Sequence, residues 1–116
     1  MGAATALLPL GAESRDPRAL VLVARGMTFY AGEGAEPNPT IHMEPGERLR
    51  VTLVNEDAGV THDFAVNAWS ARTSVLRGKG RASIVIQAPP RAGTAEYSCS
   101  LHGSMMSGTI QVGSRP

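Results

Sequence analysis

The stretch Tyr97-Ser98-Cys99-Ser100-Leu101-His102-Gly103-Ser104-Met105-Met106-Ser107-Gly108 holds the chain's single cysteine, one of its three histidines and two of its five methionines. A thiolate, an imidazole and a thioether this close together form a soft ligand set, and soft sulfur ligands with imidazole select copper over magnesium or calcium. A trigonal His2Cys site with a weak axial Met marks an electron-transfer copper, and it needs one more histidine. His62, in Val60-Thr61-His62-Asp63-Phe64, is the natural candidate.

The surrounding elements give this spacing a physical reason. Thr94 to Cys99 reads as a strand with Ala95, Tyr97 and Cys99 on one face, and Gly108 to Val112 reads as the next, with Ile110 and Val112 facing in. Cys99 then ends one strand, while His102 and a methionine lie on the short loop to the next. His62 must come from a distant loop, so a metal would pin two parts of the fold together.

Upstream, Ala19 to Ala24 is a short apolar, β-branched run that Met27 to Tyr30 continues after a break at Gly26. Thr40 to Glu44 is a short strand, and Glu44-Pro45-Gly46-Glu47 is a turn. Arg48 to Val54 alternates cleanly, with Leu49, Val51 and Leu53 on one face and Arg48, Arg50 and Thr52 on the other. His62 to Val66, Thr73 to Leu76 and Ala82 to Gln87, with Ile84 and Ile86 on one face, complete the set. Short strands with regular turn signals and no helical periodicity predict an all-β, antiparallel Greek-key β-sandwich.

With 116 residues the chain is one domain, large enough for a single core. A net charge of +1 without a long basic run argues against nucleic acid as a partner. One cysteine permits no internal disulfide, so cysteine usage does not fix the compartment. Ala3 to Leu10 is apolar, but no basic residue precedes it and it is shorter than a full signal peptide. Residues 1–18 are therefore read as a loose tail, with the remnant of a removed signal or anchor as the alternative, and 19–116 as the folded, copper-binding domain.

These features together resemble a cupredoxin, the small blue copper protein family. The resemblance covers roughly residues 19 to 113. It rests on Thr52-Leu53-Val54-Asn55 leading to His62-Asp63-Phe64, the Pro45-Gly46-Glu47 turn, and Ala92-Gly93-Thr94 before Tyr97-Ser98-Cys99. It rests also on Cys99-x-x-His102 followed by Met and then Gly108-Thr109-Ile110-x-Val112. It implies one copper per chain, held by His62, His102, the Cys99 thiolate and an axial methionine. Amicyanin-like loops place that methionine at Met105 and azurin-like loops at Met106. The family pattern Met-x-Gly matches Met106-Ser107-Gly108, so Met106 is favoured and Met105 is the alternative.

The expected function is one-electron transfer by Cu(I)/Cu(II) cycling, without enzyme activity. The resemblance makes the His102 ring edge the electron port, with Ala58, Gly59, Gly103 and Ser104 as a docking patch. Partners would be transient redox proteins: a cytochrome, an oxidase or another copper protein. The resemblance further implies a monomer working in the periplasm or another extracytoplasmic space, with a membrane tether possible. A periplasmic copper-binding or delivery protein is the alternative. A binuclear copper centre would need a second cysteine, and a catalytic copper would need more histidines than the spare His42. His42 alternates with Ile41 and Met43 and is given no role, while Met27 and Met43 read as core. Thr61 and Ser100 are candidates to tie the two ligand loops by hydrogen bonds. Asn55 reads as a loop-shaping residue, and the sequence leaves Trp69 undecided between the core and the site.

Overall fold

The computed structural model describes residues 16–114. Most of the tail expected over residues 1–18 lies outside that range. The strands are β1 (Arg18–Ala24), β2 (Phe29–Ala31), β3 (Ile41–Met43), β4 (Arg48–Asn55), β5 (Ala65–Val66), β6 (Ala71–Arg72), β7 (Gly80–Gln87), β8 (Gly93–Ser98) and β9 (Ser107–Val112). One 3-10 turn, Asn67–Trp69, joins β5 to β6. The strands form two sheets, ordered β2-β1-β4-β7 and β3-β9-β8-β5-β6. Among the described residues no helix is long and apolar enough to cross a membrane.

Alternating residues build the core as the sequence reading expects. From the first sheet Leu22, Leu49, Val51, Leu53 and Ile86 are buried, and from the second Ile41, Met43, Tyr97, Ile110 and Val112. His42 points outward between its two buried neighbours. Met27 and Trp69 are partly buried against the core. Phe29, Phe64 and Tyr97 form an aromatic trio, with centroids 5.5–6.4 Å apart. Each such pair contributes about 0.5–1.5 kcal/mol beyond the area it buries.

Two features differ from the expected sandwich. First, the sheets are mixed: β1 runs parallel to β4, and β3 runs parallel to β9. After the β1–β2 hairpin the chain crosses to the second sheet for β3 and returns at β4 beside β1, so that pair shares a direction. Alternation along one strand reports its buried face, not the direction of its neighbour. Second, Thr73 to Leu76 is not a strand. The Thr73 hydroxyl accepts the Phe64 N–H at 3.1 Å, where a ladder would place a carbonyl. Pairing is left as the two-residue β5–β6 ladder and one isolated bridge between His62 and Leu76.

Several turns hold residues in the left-handed region, among them the Pro45-Gly46 turn and the β1–β2 turn. At Pro45-Gly46 the Glu47 N–H donates to the Glu44 carbonyl at 3.0 Å, with Gly46 at φ +77°, as this turn requires. Glu47 also takes the guanidinium of Arg18 at 2.8 Å, which places Arg18 within the folded domain. Between β1 and β2, Gly26 and Met27 both take positive φ, +60° and +62°, and the Arg25 N–H donates to the Thr28 carbonyl at 2.9 Å. Two successive left-handed residues match the twist of a tight hairpin, but a methionine there is unusual and needs support from elsewhere.

Candidate metal centre

Cys99 immediately follows β8, and its loop closes on itself. The Cys99 N–H donates to the Met106 carbonyl at 3.0 Å, and the His102 N–H donates to the Cys99 carbonyl at 3.1 Å. The Met105 and Met106 N–H groups both donate to the His102 carbonyl at 2.9 Å. This folding buries Met106 completely and leaves Met105 59% exposed. Asn38 braces the loop from outside: its amide donates to the Met105 carbonyl at 3.4 Å, while its Oδ1 accepts the Phe29 N–H at 3.0 Å.

His62 arrives from the loop after β4. Its N–H donates to the Leu76 carbonyl at 2.9 Å, and its own carbonyl accepts the Leu76 N–H at 2.8 Å. One potential donor atom from each of His62, Cys99 and His102 lies within 4.8 Å of the others. His62 Nδ1 is 3.9 Å from Cys99 Sγ, and the two imidazole rings stand edge to face, 5.4 Å apart. Cys99 and His62 are fully buried, and His102 is partly exposed.

Hydrogen bonds fix which ring nitrogens are free. His102 Nε2 lies 3.1 Å from the Thr61 carbonyl, which can only accept, so Nε2 carries the proton and Nδ1 keeps its lone pair. His62 Nε2 lies 2.9 Å from Asp57 Oδ2, which leaves His62 Nδ1 facing the thiol. With both rings neutral, one sulfur and two nitrogen lone pairs are then offered to one point in a mostly buried pocket. That donor set suits a soft or borderline metal.

Two carboxylates that sequence reasoning missed hold this arrangement. Asp63, fully buried, accepts the Ser100 N–H at 2.7 Å on one oxygen and the Ser100 hydroxyl on the other. Ser100 thus ties the ligand loops, as expected; Thr61 does so through its backbone carbonyl to His102. Asp57 accepts from the Gly26 N–H at 2.9 Å, from the Met27 N–H at 3.4 Å and from His62. Burial pushes the Asp57 carboxyl up, but these hydrogen bonds outweigh it and hold it below the ordinary aspartate value. Asn55 shapes the intervening loop: its Oδ1 accepts the Asp57 N–H and its amide donates to the Val60 carbonyl, both at 2.8 Å. The available signal was position, since Asp63 adjoins the ligand candidate and Asp57 sits five residues before it on a short loop.

No protein-family model and no curated protein sequence matches the chain. Solved structures do. Auracyanin A, a "blue" copper protein from the green thermophilic photosynthetic bacterium Chloroflexus aurantiacus, is 17% identical with a TM-score of 0.65, the match covering 84% of this chain and 100% of that one. Auracyanin B is 20% identical with a TM-score of 0.66, covering 86% and 92%. A rusticyanin variant is 22% identical with a TM-score of 0.64, covering 82% and 76%. At these identities the likeness establishes the fold, a cupredoxin β-sandwich.

Proposed function

We propose that this cupredoxin-fold chain is a one-electron carrier built on a single type 1 copper site. His62 and His102 would bind through Nδ1, Cys99 as thiolate and Met106 as the weak axial ligand. The observation that carries the proposal is the convergence of His62, Cys99 and His102 from two loops onto one point, with both Nε2 atoms already engaged. Copper bound there would alternate between Cu(I) and Cu(II), accepting and giving one electron.

The residues of this chain do the rest. The closed 99–106 loop and the Asp63–Ser100 tie hold the donors in one geometry, which limits rearrangement when charge changes. The buried surroundings, with Phe64 at 0% exposure, keep water from the thiolate. His102 is the ligand candidate nearest solvent, and exposed Ala58, Gly59, Gly103 and Ser104 flank the two loops. Leu101, 54% exposed, and Met105, 59% exposed, add apolar surface on the same loop as His102. A small apolar surface of this kind suits brief docking of a redox protein, such as a cytochrome, an oxidase or another copper protein. The solved structures named above support the copper reading, and the sequence's resemblance to blue copper proteins favours work outside the cytoplasm.

Voltammetry of the copper-loaded protein tests the carrier against a delivery role. A reversible one-electron couple, with copper retained in both states, is the expected result. Loss of Cu(I) to a weak chelator on reduction would favour delivery.

The axial assignment makes its own prediction. Met106→Leu keeps volume in a buried position and should cost less than about 1.5 kcal/mol of stability while removing the thioether. The potential and the visible spectrum should shift clearly. Met105→Leu, on the exposed side of the loop, should leave both close to those of the parent. The reverse ranking would make Met105 the ligand.

A further inference from the structure

The hydrogen bonds around Asp57 reach beyond the four ligands. Its carboxylate stands where two segments meet: the β1–β2 turn, and the loop after β4 that carries both Asp57 and His62. Oδ1 takes the Gly26 N–H, and Oδ2 takes both the Met27 N–H and His62 Nε2. The turn offers two adjacent N–H groups because Gly26 and Met27 are both left-handed, and such paired N–H groups make a seat for an anion. A methionine at φ +62° is disfavoured by itself, and the carboxylate it faces explains why the turn adopts that shape. Among the described residues, Asp57 is the one charged partner of the fully buried His62 ring.

We propose that Asp57 is a positioning residue for His62, one that fixes the ring with Nδ1 toward Cys99 and adds negative charge behind that ligand, favouring the oxidised over the reduced metal. The proposal rests on the copper reading above. A carboxylate accepting from the far nitrogen of a metal-binding histidine holds its tautomer and makes the near nitrogen a stronger donor. The stronger donor and the nearby anion both stabilise the higher positive charge more than the lower. Asp57 thereby links the β1–β2 turn to the electron carried at the other end of the imidazole.

The test uses Asp57→Asn, which keeps an acceptor but removes the charge, and Asp57→Ala, which removes both. In the metal-free protein, nitrogen NMR of the His62 ring should show the Nε2–H tautomer in the parent and a mixture of tautomers in Asp57→Ala. With Cu(II) added, Asp57→Ala should lose on the order of 10–100-fold in affinity. Asp57→Asn should keep the thiolate band and raise the reduction potential, through at least about a tenfold fall in the ratio of Cu(II) to Cu(I) affinity. An unchanged tautomer in Asp57→Ala, or a parental potential in Asp57→Asn, would overturn the proposal and leave Asp57 as a turn brace. If Asp57→Ala does not fold, the potential of Asp57→Asn decides. Failure of the copper reading is distinguishable, because the parent protein would then show no thiolate band at all.

Discussion

Replacing Cys99 with serine should abolish any intense visible absorption of the copper-loaded protein while leaving the metal-free fold nearly intact. Cys99 is fully buried, and its sulfur faces His62 Nδ1 at 3.9 Å. A serine hydroxyl fits the same space and can donate to that nitrogen, whose ring proton sits on Nε2 facing Asp57. A hydrogen bond of this sort is worth about 1 kcal/mol net, so the apo protein should unfold within about that margin of the parent. Copper binding should suffer far more. Losing an outer partner of a ligand costs roughly 10–100-fold in affinity, and losing the only anionic ligand should exceed that. The consequence can be read without spectroscopy. At free copper a hundredfold above its dissociation constant, the parent gains about 2.7 kcal/mol of stability. Cys99→Ser should show almost none of that gain under the same conditions. A serine variant that kept the visible band would remove Cys99 from the site.

Gly108→Ala should be the most damaging single methyl in the second sheet. A Cβ at Gly108 would lie 2.5 Å from both Cζ and Oη of Tyr97, which faces it across the β8–β9 ladder. The ring cannot easily give way. Tyr97 is fully buried, packs against Phe29 and Phe64, and donates its hydroxyl to the Pro39 carbonyl at 2.6 Å. Burial also pushes its phenol pKa upward, so it remains a neutral donor. Overpacking costs about 1–3 kcal/mol, and a swing of the ring would add the loss of a buried hydrogen bond at about 1–3 kcal/mol. The expected total is about 3 kcal/mol or more, which for a domain of this size lowers the unfolding midpoint by more than about 10 °C. Calorimetry of the apo protein checks this. Tyr97→Phe combined with Gly108→Ala should cost less than the sum of the two, because one of the clashing atoms is gone. A shift of only a degree or two for Gly108→Ala would mean that the ring is not confined as described. In this chain the glycine of Met106-Ser107-Gly108 makes room for Tyr97 beside the loop.

Much of this was legible in the residues themselves. Leu49, Val51 and Leu53 announce a half-buried strand by alternation, and Ile110 and Val112 do the same beside the site. Cys99 and His102 mark a candidate site by their spacing, and the structure brings His62 to them as a third potential donor. The burial of Met106 and exposure of Met105 agree with the preference for Met106, whose role as a ligand stays with the proposal. The parallel pairings were not legible, because a strand's pattern carries no record of its partner's direction. Thr73 broke an expected strand through one hydroxyl, a competition with the ladder that β-propensity does not show. Asp57 and Asp63 escaped notice because a carboxylate on a polar loop usually faces water. Here the fold turns both inward, onto a histidine and onto the loop after Cys99.

One measurement bears most directly on the copper carrier: visible and EPR spectra of the purified protein with one equivalent of Cu(II). An intense blue band with narrow copper hyperfine splitting is the expected result, and it would place a thiolate on a type 1 centre. A green colour would keep the same ligands with a stronger axial bond. A pale solution with ordinary wide splitting and no thiolate-to-copper band would contradict the carrier reading.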